Sequence, residues 1–255
     1  MNSGAWWAKY VSPDHAFGRA LMSVRTQIEL ARWRTSSPSE RELKSVIARL
    51  SPAYTMIAVD RLQQLAAHAL ELHRDGVAGA VVECGTWRGG ALALVDWAFR
   101  AADDERVVWG FDSFEGLPPP TAQDPEAAHR GFFSGWCSAT MTDVHQAIRV
   151  AGGSPDRVRL VRGWLQDTLP GAATGPIALL HVDVDWYDSV RTVFDHLSDR
   201  VAEGGIVSVD DYGRWAGCDR ALHEFLDARG WPRTLLRPMG RHGVWFRVPR
   251  DRSTA

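Results

Sequence analysis

Residues 177–188 read IALLHVDVDWYD, and residues 206–211 read IVSVDD. In each stretch an apolar run leads straight into acid: Asp183, Asp185 and Asp188 after the first, Asp210 and Asp211 after the second. A strand this hydrophobic is buried on both faces, as strands of parallel sheets are. Buried carboxylates are costly unless they are paired or hold a cation. The two stretches therefore predict neighbouring buried strands whose ends carry a site.

Working outward, strands and helices alternate from residue 79 onward. Strands are expected at AGAVVEC (78–84), RVVWGFD (106–112), RVRLVRG (157–163), IALLHVD (177–183) and GGIVSVDD (204–211). Helices are expected over 90–101, 140–151, 188–200 and 217–229, and two short strands near 233–237 and 243–248. This order is that of an α/β fold with a doubly wound, mostly parallel sheet. The last two strands, joined across PMGRHG, form an antiparallel hairpin at the sheet edge.

The first 76 residues carry helical spacing and no evident strand. They form an N-terminal helical extension, a lid or oligomerisation element, ahead of a core spanning 77–250. One helix is HAFGRALMSVRTQIELARWR. The second is SPSERELKSVIARL, with Ser39 as N-cap and Glu42 completing a capping box. The third is MIAVDRLQQLAAHALELHRDG, closed by Gly76. The irregular stretch 112–139 is long for a compact domain and reads as a lid.

Bulk properties exclude several classes. The 255 residues carry a net charge of −2 with the signs interspersed, which gives no nucleic-acid or polybasic membrane surface. No apolar stretch is long enough to span a membrane, and the first seventeen residues do not read as a signal peptide. The three cysteines, Cys84, Cys137 and Cys218, lack metal-ligand spacing and read as reduced thiols of a cytoplasmic protein. The tryptophan-rich GAWWAKY (4–10) is expected to meet a neighbouring subunit, making the chain a homo-oligomer. Most of the twelve tryptophans are packing residues, and some suit a flat or sugar-like ligand.

The first core strand runs into ECGTWRGG. Glu83-x-Gly85-x-x-x-Gly89 is a strand-to-helix turn where a doubly wound sheet places its ligand. It departs from the G-x-G-x-x-G pyrophosphate fingerprint. Asp112 ends the second strand, where an acid accepts hydrogen bonds from ribose hydroxyls; a helix cap is the plain alternative. Asp183 and Asp185, two apart, share a face if the strand persists. Adjacent Asp210 and Asp211 point apart on a regular strand, so both reach one ion only beyond its end. An all-oxygen cluster suits Mg²⁺, Mn²⁺ or Ca²⁺; helix capping explains one acid per end but not the clustering. His181 reads as a core residue, and His129 and His145 flank the lid.

These elements in this order resemble the class I S-adenosylmethionine-dependent methyltransferases, and most closely the macrocin O-methyltransferase family. The resemblance rests on YTMIAVDRLQQL, VVECGTWRGGA, VWGFDSFEGLP, RVRLVRGWLQDTLP, LLHVDVDWYDSV and GGIVSVDDY, from about residue 50 to 247. It implies a Rossmann-like fold, S-adenosylmethionine and Mg²⁺ as cofactors, and methyl transfer to a sugar hydroxyl of a glycosylated small molecule. It further implies that Glu83, Gly85, Asp112 and Ser113 hold the cofactor, with Trp164 and Asp167 near its adenine. Asp183, Asp210 and Asp211 match the metal-binding acids, and Asp183 the general base; Asp188, Tyr187 and His145 are other candidate bases. Trp186 stands where catechol-type relatives place a lysine base, and Val184 replaces a small residue. A metal-dependent phosphoesterase, a nicotinamide oxidoreductase and a noncatalytic binding subunit are the alternative readings.

Overall fold

The computed structural model describes residues 16–250. The GAWWAKY segment lies outside the described residues. Three helices come first: α1 (Ala16–Arg32), α2 (Pro38–Leu50) and α3 (Val59–Arg74). The core follows as β1 (Ala80–Cys84), α4 (Gly90–Ala101), β2 (Val108–Asp112), α5 (Glu126–Gly131) and α6 (Met141–Val150). Next come β3 (Val158–Arg162), α7 (Leu165–Thr168), β4 (Ile177–Val182) and α8 (Tyr187–Leu197). The chain ends with β5 (Val201–Val209), α9 (Ala216–Ala228), β6 (Arg237–Pro238) and β7 (Val244–Arg247).

The seven strands form one sheet in the order β3-β2-β1-β4-β5-β7-β6. The first five are parallel, and β7 runs antiparallel to both β5 and β6. The expected edge hairpin is present, but residues 233–235 form a 3₁₀ turn rather than strand. The strand order reverses between β1 and β4, which fixes the crevice above their carboxyl ends as the ligand position.

Alternation along the strands builds two cores. Val81, Leu179 and Ile206 pack with Leu62 and Leu65 of α3 and with α2, α4 and α6. Val82, Leu180 and Val207 pack with Val193 of α8 and Leu222 of α9 on the other face. The N-terminal helices therefore cover one face of the sheet and share its core. Among the described residues no helix is long and apolar enough to cross a membrane.

One capping assignment is corrected. Ser37, not Ser39, is the N-cap of α2, and its side chain accepts the Glu40 N–H. Pro38 takes the first helical position, where its missing N–H costs nothing, and Glu40 rather than Glu42 reaches back, to Ser36. The start of α3 has no local cap, since Ala58 has no side-chain acceptor; Glu29 of α1 accepts the Val59 N–H at 3.0 Å instead.

The 112–139 stretch is a tethered cover. The buried Asp124 carboxylate accepts the N–H groups of Thr121 and of Tyr187 at the start of α8, both at 2.9 Å. The Trp186 indole donates to the Pro118 carbonyl at 2.9 Å. His129 bonds the Thr121 carbonyl within the same segment.

Candidate active site and family membership

The site begins where β4 and β5 end. Pairing runs one residue past each strand: Asp183 N–H donates to Cys84 O, and Asp210 N–H to Val182 O, both at 3.0 Å. The chain then turns at Asp211, outside the pleat. That turn lets two adjacent aspartates reach one place, which a regular strand forbids. One oxygen from each of Asp183, Asp210 and Asp211 lies within 4.8 Å of the others. Asp185 joins by its backbone instead. It adopts a left-handed conformation (φ 56°), donates its N–H to Asp211 Oδ2, and its carboxylate accepts the Trp215 indole N–H at 2.8 Å.

Arg61 of α3 enters this cluster from the N-terminal layer. Its Nη1 lies 2.6 Å from Asp210 Oδ2 and 2.9 Å from the Asp210 carbonyl oxygen. Asp210 Oδ1 is buried without a partner. Sequence reasoning missed Arg61, because its partner lies 149 residues away. Burial pushes the carboxyls of Asp183, Asp210 and Asp211 upward. For Asp183 the charges of Asp210, Asp211, Asp185 and Glu83 add to the rise. Asp210 is pushed up to about 7, with Arg61 opposing the burial. These acids crowd like charge into a buried space, which a cation would relieve.

Two cavities share Asp183 and Asp185 in their linings, together with Met56, Trp87, Leu117 and Cys137. The smaller, about 110 Å³, is lined by Gly85, Trp87, Asp112, Ser113, Trp164 and Gln166 among others. It brings together most residues expected to hold a cofactor. Asp167 does not line it and is solvent-exposed on α7. Gly85 has φ 86°, and a Cβ there would collide with the Asp183 carbonyl. The close approach it permits is therefore between the ends of β1 and β4. Asp112 Oδ2 accepts the Trp87 N–H at 2.8 Å, and Oδ1 the Phe114 N–H at 2.7 Å. It thereby fixes the turn after β1 as well as facing the cavity. The Ser113 hydroxyl donates to the Gly116 carbonyl at 3.2 Å.

The larger cavity, about 640 Å³, is lined by the three clustered aspartates, Glu83 and Arg61, with Tyr54, Trp87, Trp136 and Trp215 as aromatic walls. Trp186 sits buried behind them, edge-on to Trp136 at 6.3 Å and to Trp215 at 4.9 Å. The residue in the lysine-base position is thus a packing wedge that ties the cover to the site. Of the other candidate bases, Asp188, Tyr187 and His145 line neither cavity. The Tyr187 hydroxyl is bonded to Glu224. Cys84 is buried, and burial pushes its thiol well up, in keeping with no nucleophilic role.

The family described as Macrocin-O-methyltransferase (TylF) matches residues 6–248. The chain belongs to this family. A relative from Streptomyces olivaceus, 8-demethyl-8-(2,3-dimethoxy-alpha-L-rhamnosyl)-tetracenomycin-C 4'-O-methyltransferase, is 37% identical over 180 residues, covering 69% of this chain and 68% of the relative. Mycinamicin III 3''-O-methyltransferase of Micromonospora griseorubida is 35% identical over 201 residues, 76% of this chain and 78% of that protein. The solved structure of the O-methyltransferase NovP superposes with a TM-score of 0.73 at 30% identity, over 92% of this chain and 99% of that one. These matches favour neither the phosphoesterase nor the oxidoreductase reading.

Proposed function

We propose that this protein transfers the methyl group of S-adenosylmethionine to a deoxysugar hydroxyl of a glycosylated natural product, with Mg²⁺ as the metal. The observation carrying this reading is the sharing of Asp183 and Asp185 between the linings of the two cavities. The smaller is bordered by the acid that suits a ribose, and the larger by tryptophans that suit a sugar and its aglycone. Relatives named for methylation of rhamnosyl-tetracenomycin and of mycinamicin support the same acceptor class.

The residues fit a hard divalent cation. Three carboxylates give an all-oxygen donor set, and the unpartnered Asp210 Oδ1 points to a missing partner. Asp183, Asp210 and Asp211 would hold it, and when bound it supplies a Lewis acid that eases ionisation of a nearby hydroxyl. The chain does the rest. Asp112, Ser113 and Trp164 bind the adenosine end, while Asp167, outside the cavity lining, would act from the neighbouring turn. Glu83 and Gly85 border the amino-acid end. Trp136 and Trp215 wall in the acceptor, and the tethered cover excludes water. As the carbon–sulfur bond breaks and the new carbon–oxygen bond forms, the hydroxyl proton passes to the Asp183 carboxylate. The products are the methyl ether and S-adenosylhomocysteine. Positioning supplies most of the acceleration.

The test is mass spectrometry of a panel of rhamnosyl and related deoxyhexosyl aglycones incubated with S-adenosylmethionine. A gain of one methyl that disappears in EDTA and returns with Mg²⁺ is the expected result. Methyl transfer undiminished by EDTA would remove the metal from the reading.

A further inference from the structure

Of the six residues that line both cavities, two are the acids Asp183 and Asp185. The other four, Met56, Trp87, Leu117 and Cys137, present a thioether, an indole, an isobutyl group and a thiol, the last packing as a small hydrophobe. They come from separate stretches of chain. Met56 lies between α2 and α3, Trp87 in the turn after β1, and Leu117 and Cys137 near the two ends of the cover.

The backbone holds these stretches together. The Trp87 N–H donates to Asp112 at 2.8 Å, and the Met56 carbonyl accepts from Arg25 Nη2 of α1 at 3.4 Å. The Leu117 N–H donates to the Trp136 carbonyl at 2.8 Å, which pinches the two arms of the cover against each other. Gly116 makes that pinch possible: its φ is 96°, and a Cβ there would lie 2.5 Å from the same carbonyl oxygen. Trp87, Cys137 and Asp185 have φ of 46°, 63° and 56°. They are three of the five non-glycine residues with positive φ among the described residues. Such backbone is costly and persists where its surroundings impose it, characteristically at functional sites. Here it gathers on the shared border of the two cavities.

In the reaction proposed above, sulfur belongs to the smaller cavity and the acceptor oxygen to the larger. In-line displacement carries the carbon between them. A lone pair of the oxygen forms the new bond as the carbon–sulfur pair returns to sulfur, and the hydroxyl proton passes to Asp183. Substituents on the moving carbon project sideways from the sulfur–oxygen line. A methyl group has only hydrogens there; a larger group would push carbon into the side chains of the border.

We propose that Met56, Trp87, Leu117 and Cys137 form an apolar collar around the transferred carbon, which restricts the donor to a methyl sulfonium and rejects larger S-alkyl groups by steric contact. Discrimination of this kind works by a clash with the wrong ligand. The inference rests on the S-adenosylmethionine reading above.

Calorimetric titration without acceptor tests it, using S-adenosylhomocysteine, S-adenosylmethionine and the S-benzyl analogue of the latter. The two sulfonium ligands carry the same charge and differ only in the group on sulfur. Wild type is expected to bind the benzyl analogue at least about tenfold more weakly than S-adenosylmethionine, or about 1.4 kcal/mol. Leu117→Ala, in the cover, and Met56→Ala, in the N-terminal layer, should each shrink that gap by at least about threefold, because each removes side-chain volume from the collar. The gap is a ratio, so a uniform loss of cofactor affinity does not alter it, and either variant carries the comparison if the other does not fold. Wild type that binds S-adenosylhomocysteine, and binds both sulfonium ligands equally well, would sink the collar alone. A gap of unchanged size in the folded variants would do the same. Wild type that binds none of the three would take down the cofactor reading and the collar with it.

Discussion

Replacing Arg61 by methionine removes the one side-chain cation, among the described residues, hydrogen-bonded to Asp210 while keeping most of the volume. Arg61 and Asp210 side chains are 13% and 7% exposed, and the contact is 2.6 Å. Breaking a buried pair usually costs about 3–5 kcal/mol, because a charge is stranded. Here the loss is capped, since Asp210 takes up a proton instead. With Arg61 present its folded value is already raised to about 7, against about 3.9 unfolded. Its contribution to stability therefore falls as pH rises from about 4 to about 7 and levels off above that. Without Arg61 the folded value moves higher still, and the fall continues past 7. At pH 8 the added electrostatic loss is limited to about one pKa unit, on the order of 1–2 kcal/mol. The lost hydrogen bonds add about 1 kcal/mol. At pH 5.5 the carboxyl is neutral in both proteins, and only the hydrogen-bond part remains. Urea unfolding in EDTA should show the variant less stable by about 2–3 kcal/mol at pH 8 and by about 1 kcal/mol at pH 5.5. An equal loss at both pH values, or none at pH 8, would refute the coupling of α3 to the acid cluster.

Asp183→Asn should lower turnover by at least about a hundredfold while S-adenosylhomocysteine still binds, because the amide keeps an acceptor oxygen. The same variant should melt higher than wild type without metal, since one of several crowded buried charges is gone. Turnover restored by added Mg²⁺ would remove Asp183 as base. His68 is fully buried against Trp245, with neither ring nitrogen hydrogen-bonded. Burial lowers its value to about 4, so it stays neutral when folded and takes a proton when unfolded. It should cost about 1.4 kcal/mol of stability per pH unit as pH falls from 6.5 toward 4. His68→Phe should remove that slope and add about 1–2 kcal/mol at pH 7, read by urea unfolding at pH 7 and pH 5; an unchanged slope would mean another group titrates. Gly85→Ala should cost at least about 2 kcal/mol, because the new Cβ meets the Asp183 carbonyl; a thermal melt at the wild-type temperature would contradict that geometry.

The strands were legible wherever the apolar runs were continuous, and helix α4 matches the 90–101 expectation at both ends. Those readings rest on local burial, which composition reports directly. The α2 cap slipped by two residues because SPSERE offers two serines, each with a glutamate three further on. Only the proline's preference for the first helical position separates them. The convergence of Asp210 and Asp211 depended on β5 ending at Val209, a matter of one residue that periodicity does not resolve. Arg61 was hidden for a different reason: its contact with Asp210 arises from layer packing between distant segments and leaves no local pattern. Trp186 was visible only as a missing lysine; its work as a wedge needed Pro118, Trp136 and Trp215 in place.

Calorimetric titration of S-adenosylmethionine and S-adenosylhomocysteine into wild-type protein, with and without Mg²⁺, bears most directly on the proposed reaction. Binding of both at micromolar concentration is the expected result, because the cavity lined by Gly85, Asp112 and Trp164 is formed by the folded chain alone. No binding of either, with or without Mg²⁺, would contradict a methyl-transfer role for this site.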